Sequence, residues 1–272
     1  MGITLGLVSI KGGVGKTTIA ASLATDLANN YNKKVLLIDA NYSAPNLGLH
    51  MDIVEPKKTI HEVLEKKCRL ESAIHHKFGV DVVPGDYNSS KLINYFKLKS
   101  KIESLKEKYD FIILDSSPSY NEEILSTILA SDSLFIVTTP DYPTLSCSLK
   151  TAKLAKTRGK PVSGVIINKI RDPLYEITIR EIEKFADIPV IAKIPDEKKA
   201  TRSIFTRIPL PIYEKNSKFS KEISNLSAAL TLTKEKKSLF RKLIPFDFRR
   251  EEINRELFRQ TFYSSIFGEK SA

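Results

Sequence analysis

The sequence is short of the residues and runs that define several classes of protein. It has only two cysteines, Cys68 and Cys147, and they do not form a C-x-x-C pair. A disulfide framework and a cysteine zinc site are therefore disfavoured, and a reducing cytoplasm fits the composition. No apolar run approaches the ~18 residues that a membrane span requires, and the first residues lack the basic region of a signal peptide. We expect a cytoplasmic protein whose contact with a membrane would be peripheral, at the inner face of the cell membrane.

Acidic residues are scarce relative to basic ones. In 272 residues there are 32 Asp and Glu against 43 Lys and Arg, which gives a formal charge of +11. A charge of this sign favours anionic partners such as nucleotides, nucleic acid or acidic lipid, but it carries no information about the fold.

Short apolar runs alternate with stretches of helical periodicity. The runs are rich in Val and Ile and apolar on both faces, which predicts buried strands at residues 3–9, 35–38, 80–83, 111–114, 134–138, 162–167 and 190–194. Helices are predicted at 17–30, 59–66, 89–108, 121–130, 145–157, 177–186 and 217–231, the second of them beginning with a capping box of Thr59 and Glu62. The alternation predicts a doubly wound α/β fold: a mostly parallel sheet of about seven strands, flanked by helices on both faces, with ligands at the carboxyl ends of the strands. We assign residues 1–232 to this domain and residues 233–272 to a basic amphipathic C-terminal appendage.

A glycine-rich loop follows the first predicted strand. Residues 11–18 read KGGVGKTT and lead into the first predicted helix. Glycines let backbone N–H groups converge on phosphate oxygens, and the helix N-terminus adds partial positive charge. Lys16 would reach the β- and γ-phosphates, and the Thr17 hydroxyl would ligate Mg²⁺. The alternative is a glycine-rich turn without a ligand, which this spacing disfavours.

The loop also departs from the common phosphate-binding pattern, because Ile10 stands where that pattern has glycine. Residues 11–18 resemble instead the deviant Walker A loop of the MinD/ParA family of ATPases, in which this position varies. The resemblance covers roughly residues 1–232: residues 35–41 (VLLIDAN) look like the strand entering switch I, residues 45–49 (PNLGL) like its Asn-Leu segment, and residues 109–116 (YDFIILDS) like the Walker B strand entering switch II. It implies ATP and Mg²⁺ as ligands and an ATP-dependent homodimer, in which Lys11 reaches the phosphates of the partner.

The resemblance also implies the roles of individual residues. Residues 166–169 (IINK) match the strand whose Asn reads the adenine edge, and residues 194–196 (IPD) match the loop that packs on the base; alone, Asn168 would be read as a turn residue. The implied nucleotide-binding residues are Lys11, Gly12, Gly13, Val14, Gly15, Lys16, Thr17, Thr18, Asn168, Pro195 and Asp196. The implied metal-binding residues are Thr17, Asp39 and Asp115, the last through water. The implied catalytic positions are Lys11, Lys16, Asp39 and Asn41.

Two departures from the family pattern bear on function. Switch II reads Asp-Ser-Ser-Pro-Ser at residues 115–119, where MinD proteins typically have Asp-Ser-Pro-Ala-Gly. Switch I has an amide, Asn41, where the family has a second carboxylate that positions the attacking water. An amide is not basic, so we expect slow hydrolysis of ATP.

The C-terminal appendage holds two amphipathic segments. In residues 236–244, an apolar stripe that includes Leu239, Phe240 and Leu243 is bordered by four cations, Lys236, Lys237, Arg241 and Lys242. The segment resembles the membrane-targeting helix at the end of MinD proteins and predicts contact with anionic lipid, although docking on the protein's own surface fits equally. Residues 249–267 predict a second helix with one apolar side: Ile253, Leu257, Phe258, Phe262 and Ile266. This helix could bind a partner, extend a membrane contact or fold back on the domain.

Three functions remain open from the sequence. The favoured one is a MinD-like switch ATPase that positions a macromolecular cargo on a surface, with an unidentified activating protein. The second is a ParA-like ATPase that partitions cargo on DNA, which the positive charge allows. The third is an ATP-binding scaffold with little turnover, which Asn41 supports. Relatives that carry iron–sulfur clusters use paired cysteines, which this chain lacks.

Overall fold

In the computed structural model, which describes residues 1–89, 93–233 and 250–267, the chain is built around one eight-stranded sheet. The strands are β1 (Ile3–Val8), β2 (Val35–Ala40), β3 (His75–Lys77), β4 (Val80–Val83), β5 (Phe111–Ser116), β6 (Ser133–Thr138), β7 (Val162–Ile170) and β8 (Val190–Pro195). Their order is β3-β4-β2-β5-β1-β6-β7-β8, and every pair is parallel except β3–β4. The predicted doubly wound α/β fold is confirmed, with one strand more than predicted.

The additional strand, β3, is the short antiparallel edge strand. Its three residues, His-His-Lys, are half-buried or exposed, so it has no apolar alternation by which it could be recognised. A short polar strand at an edge discourages pairing with another chain.

The helices cover both faces of the sheet. They are α1 (Lys16–Tyr31), α2 (Leu47–His50), α3 (Ile60–Leu64), α4 (Leu98–Glu103), α5 (Glu122–Ala130), α6 (Tyr142–Thr157), α7 (Ile179–Ala186), α8 (Lys198–Thr206), α9 (Leu210–Tyr213), α10 (Lys218–Leu230) and α11 (Arg250–Phe267). Helices α1, α10 and α11 share one core cluster on one face. Helices α3 to α7 pack in two clusters on the other.

Two predicted helices are shorter than expected. The capping box of Thr59 and Glu62 is confirmed, but α3 ends at Leu64. In the segment predicted as a helix at 89–108, residues 90–92 lie outside the described residues and only Leu98–Glu103 is α-helical. The side chain of Asn94 accepts a hydrogen bond from the backbone N–H of Phe96 and begins a 3₁₀ turn there. Such a local side-chain bond competes with the helical pattern.

The C-terminal helix α11 folds back on the sheet. Phe258, 3% exposed, packs against Phe135 of β6, and Phe262, 2% exposed, packs against Phe258. The predicted apolar side is wrong for Ile253 and Leu257, which are 40% and 56% exposed. The side chain of Ile266 lies outside the described residues.

Polar residues take the inward positions of α11 because β8 is an edge strand. Asn254 Nδ2 donates to the carbonyl of Val190 at 2.7 Å, and an Arg255 guanidinium N–H donates to the carbonyl of Ile191 at 3.0 Å. These side chains provide the hydrogen-bond donors that a further strand would provide at this edge, so the carbonyls of Val190 and Ile191 are paired.

Helix α11 is thus attached to the domain, and residues 234–249, which connect it to Thr233, lie outside the described residues. The basic segment 236–244 lies outside the described residues, and the division of the chain at residue 233 stays a prediction. Within the described residues, no helix is long and apolar enough to cross a bilayer.

Candidate nucleotide-binding site

The glycine-rich loop connects β1 to α1 at the carboxyl edge of the sheet. Gly13 and Gly15 have φ angles of +76° and +94°, and a Cβ on Gly15 would lie 2.3 Å from Asn168 Nδ2. Both positions therefore require glycine. Val14 is buried at 2% exposure, whereas Lys11, Gly12 and Gly13 face solvent.

The end of β7 supports this loop from below. Asn168, predicted to read adenine, donates its Nδ2 N–H to the carbonyl of Val14 at 2.7 Å. Lys169, which the sequence did not single out, has a φ of +59° and donates from Nζ to the carbonyl of Gly13 at 2.7 Å. Both side chains pair carbonyls of the loop, whose N–H groups are the ones that bind an anion in loops of this kind.

Lys16 and Thr17 begin helix α1 beneath the loop. Lys16 is 6% exposed, and burial lowers the pKa of its ammonium group while the nearby Asp115 opposes that shift. The Thr17 hydroxyl donates to Asn46 Oδ1 at 3.0 Å, which brings switch I against the start of α1. Asn46 is a second contact that sequence reasoning missed, although it belongs to the Asn-Leu segment noted above.

Two carboxylates face the same place from neighbouring strands. Asp39 of β2 lies opposite Asp115 of β5 in the sheet register, and both are fully buried. Asp39 accepts N–H bonds from Asn41, Asn46 and Leu47 at 3.0–3.1 Å. Within the described residues, neither oxygen of Asp115 has a hydrogen-bond partner.

This arrangement of carboxylates calls for a cation. Burial raises the pKa of Asp39, and the charge of Asp115 raises it further. Burial likewise raises the pKa of Asp115. Buried carboxylates are costly unless they are paired or coordinate a metal. Among the described residues there is no group of three or more His, Cys, Asp or Glu that could hold a metal ion by itself. Mg²⁺ is usually bound by one or two carboxylates together with substrate phosphates, which two facing carboxylates suit.

Switch I brings Asn41 close to the carboxylates. Asn41 is 6% exposed, its backbone N–H donates to Asp39, and its Nδ2 donates to the carbonyl of Ala44 at 2.5 Å. Asn41 is thus beside the predicted metal site, with its side chain turned toward its own loop.

The remaining predicted residues lie around the loop. Pro195 ends β8 opposite Ile170, and Asp196 accepts a hydrogen bond from Arg171 Nε at 2.6 Å. Both therefore lie at the carboxyl edge, next to the strand that carries Asn168. Lys11 is exposed to solvent.

Comparisons with known proteins agree with this geometry. A family model described as an AAA domain matches residues 3–157. The chain is 31% identical over 230 residues to an uncharacterised ATP-binding protein of Methanocaldococcus jannaschii, covering 82% of this chain and 86% of that protein. It is 30% identical over 227 residues to the septum site-determining protein MinD of Synechocystis sp., covering 78% and 82%. The structure of MinD from Pyrococcus horikoshii complexed with Mg-ADP superposes with a TM-score of 0.80 at 29% identity, covering 85% of this chain and 96% of that one.

Proposed function

Because this chain belongs to the MinD/ParA family of P-loop ATPases, we propose that it is a MinD-like switch in which ATP joins two copies and hydrolysis separates them. Members of this family hydrolyse ATP and bind nucleotide with Mg²⁺. In its joined form the protein would hold a macromolecular cargo on a surface, and an activating protein would set the time of release.

The observation that carries this proposal is the fully buried carboxylate of Asp115, whose oxygens form no hydrogen bond with a described residue. Burial raises its pKa despite the opposing effects of the nearby Thr17 hydroxyl and Lys16 ammonium, so the charge is not fully compensated and supports a cationic ligand at this place. A magnesium ion bound with a nucleotide provides that positive charge. When bound, Mg²⁺ would neutralise the phosphate oxygens during transfer.

Each residue of the site then has a part in binding or orientation. The loop N–H groups and Lys16 would bind phosphate, and Thr17, Asp39 and Asp115 would hold the metal, Asp115 through water. Asn168, Pro195 and Asp196 would bind the adenine. Lys11 is exposed on the loop and is not needed for binding phosphate within one copy. It would add its charge to the phosphates bound by a second copy.

The surface is proposed to be anionic membrane, contacted by residues 236–244. The support is the composition of that segment, in which four cations border an apolar stripe. In this proposal the protein is cytoplasmic and joins the inner face of the membrane in its ATP state.

A second candidate, DNA as the surface, is favoured by helix α6. Lys150, Lys153 and Lys156 on this helix are exposed and form no ion pair with any described residue. There is also no Asp or Glu between Asp141 and Asp172. A row of uncompensated cations suits phosphate contacts, which are independent of base sequence.

One experiment separates nucleotide binding from dimerisation. Lys16→Ala should abolish ATP binding measured by calorimetry, because it removes the buried ammonium group. Lys11→Ala should keep ATP binding but should remain monomeric by light scattering with a slowly hydrolysed ATP analogue. The control is Lys33→Ala, which removes a lysine at the opposite edge of the sheet and should behave as wild type. Retained affinity in Lys16→Ala, or a normal dimer in Lys11→Ala, would refute the corresponding assignment.

A further inference from the structure

An aromatic cluster holds the start of switch I. Tyr42, the residue after Asn41, is 3% exposed, and its ring stacks on Tyr95 with centroids 5.1 Å apart and planes 14° apart. The His61 ring meets it nearly at right angles, at 6.1 Å and 87°. Stacked and edge-to-face arrangements are the favoured geometries of aromatic pairs. The Tyr42 hydroxyl is buried beside Ser126 of α5, whose own proton is donated to the carbonyl of Tyr95.

The backbone of Tyr42 is also fixed. His61 Nδ1 accepts the backbone N–H of Asp86 at 3.0 Å, so its other nitrogen, Nε2, carries the proton that is donated to the carbonyl of Tyr42 at 2.9 Å. His61 is itself buried at 3% exposure. A neutral histidine thus joins switch I to the loop after β4.

The other partners of the cluster come from α5, the helix that follows switch II. Glu123, 2% exposed, accepts the backbone N–H of Ser43 at 3.4 Å. Ser126 Oγ donates to the carbonyl of Tyr95 at 2.6 Å. The two switch segments are therefore connected through α5 and the two tyrosine rings.

From this geometry we propose that Tyr42 is a positioning residue for ATP hydrolysis, because its anchored ring fixes the place of residue 41. This inference rests on the proposed function. Asn41 is one peptide unit from the anchored ring, and its N–H is bonded to Asp39, so a shift of Tyr42 moves the Asn41 side chain relative to the metal site. Misplacement of a reacting group by about 1 Å can cost ~10²-fold in rate. The loop contacts that bind phosphate do not involve Tyr42, so affinity for ATP is independent of it.

The test is a comparison of Tyr42→Ala with Tyr42→Phe. Tyr42→Ala should lower kcat by about tenfold to a hundredfold with KM for ATP unchanged, whereas Tyr42→Phe keeps the ring and should keep kcat. Tyr95→Ala should reproduce the loss from a position 53 residues away in the sequence, and the double variant should not be additive. Equal kcat in Tyr42→Ala and wild type would overturn the inference.

A stability control and a second readout separate positioning from general damage. Leu105→Ala opens the same core at the amino edge of the sheet and should reduce stability with kcat unchanged. Hydrogen exchange of the backbone amides of residues 41–44 and 46 should be faster in Tyr42→Ala and unchanged in Leu105→Ala. If wild type binds no ATP, the proposed function fails, yet the exchange measurement still decides the anchor: unchanged exchange in Tyr42→Ala overturns it.

Discussion

Asn41 has a side chain that is already engaged in its own loop. Its Nδ2 donates to the carbonyl of Ala44, and its Oδ1 is buried without a partner among the described residues. An amide cannot accept a proton from water and adds no negative charge, although glutamine orients water in other phosphate-transfer switches. Lys11, Lys16 and Mg²⁺ would still stabilise charge on the phosphates. Hydrolysis is therefore expected to be slow, and the ATP state long-lived.

Asn41→Asp should raise turnover in the presence of the activating surface, with ATP affinity little changed. Loss of one positioned catalytic group typically costs ~10²–10⁴-fold, which sets the upper scale of the gain. The same change places a carboxylate against the carbonyl of Ala44 and near Asp39, so the nucleotide-free protein should be less stable. Phosphate release measures the turnover. The control Asn41→Ala should not gain, and a turnover of Asn41→Asp at or below wild type would assign water positioning to another residue.

The same substitution, Asp to Asn, should have opposite effects on thermal stability at Asp115 and at Asp39. Asp115→Asn removes a buried charge whose desolvation outweighs its attraction to Lys16 and Thr17, and it should raise the thermal unfolding midpoint of the nucleotide-free protein by a few degrees. Asp39→Asn should lower it, because Asp39 accepts three backbone N–H groups and an amide has one oxygen fewer; leaving a buried donor unpaired costs ~1–3 kcal/mol. Calorimetry without Mg²⁺ measures both. A loss of stability in Asp115→Asn would show that Asp115 has a donor in solution.

The gain in Asp115→Asn should also depend on pH. Burial raises the pKa of Asp115 in the folded state, so the folded protein binds that proton more tightly than the unfolded chain does. Its stability contribution is fully present below the unfolded pKa of ~3.9 and is lost as pH rises through the raised value. Asparagine removes this dependence. The difference between variant and wild type should therefore be larger at pH 8 than at pH 5.

Helix α11 offers two neighbouring residues with opposite environments. Phe258→Ala should destabilise the protein by ~3–5 kcal/mol, because the ring lies between Phe135 and Phe262 with centroids 5.8 and 4.7 Å away. Leu257→Ala should have little effect, because that side chain is 56% exposed. Urea unfolding measures both. Equally small effects would mean that α11 does not pack on the sheet in solution.

The same helix shows where sequence reasoning succeeds and where it ends. The buried strands β1, β2 and β5 were predictable, because apolar residues on both faces leave few alternatives. The loop at residues 11–18 was predictable from its glycine spacing. The buried side of α11 was not predictable. Asn254 and Arg255 are buried because they donate hydrogen bonds to carbonyls of β8, a strand 64 residues away in the sequence. The bond from Lys169 to Gly13 is likewise a contact between distant segments.

At the scale of the whole molecule, the proposed function requires an anionic surface, and the two candidate surfaces predict different results for two sets of lysines and arginines. Replacing the four cations Lys236, Lys237, Arg241 and Lys242 by Gln should weaken binding to anionic liposomes by up to about a thousandfold, since each is worth ~1 kcal/mol near such a surface. Replacing Lys150, Lys153 and Lys156 of α6 by Gln removes three charges from another surface and serves as the comparison variant. Co-sedimentation with liposomes and with plasmid DNA, each with ATP and with ADP, measures both variants. Loss of DNA binding in the α6 variant, with liposomes ignored by wild type, would favour the ParA-like function.

Substitution is preferable to truncation here because α11 belongs to the core. Removing residues 234–272 would uncover Phe135 of β6 and the carbonyls of Val190 and Ile191. A truncated chain that failed to bind membrane would then be explained by its loss of stability.

The attachment of α11 also limits how the molecule can stand on a surface. Segment 234–249 is held at both ends, because Arg259 donates to the carbonyl of Thr233 at 3.0 Å and Arg250 pairs with Glu183 of α7 at 2.9 Å. Arg250 and Arg259 are ~14 Å apart along α11, and the segment is ~55 Å long when fully extended, so its midpoint can travel no more than ~27 Å from the domain. A tail with one free end would let the domain tumble; if residues 236–244 contact a membrane, as proposed, the attachment of their flanking residues near β8 would turn that edge of the sheet toward it. The loop with Lys11, at the carboxyl ends of the strands, would then face along the membrane plane, where a second copy approaches by two-dimensional diffusion.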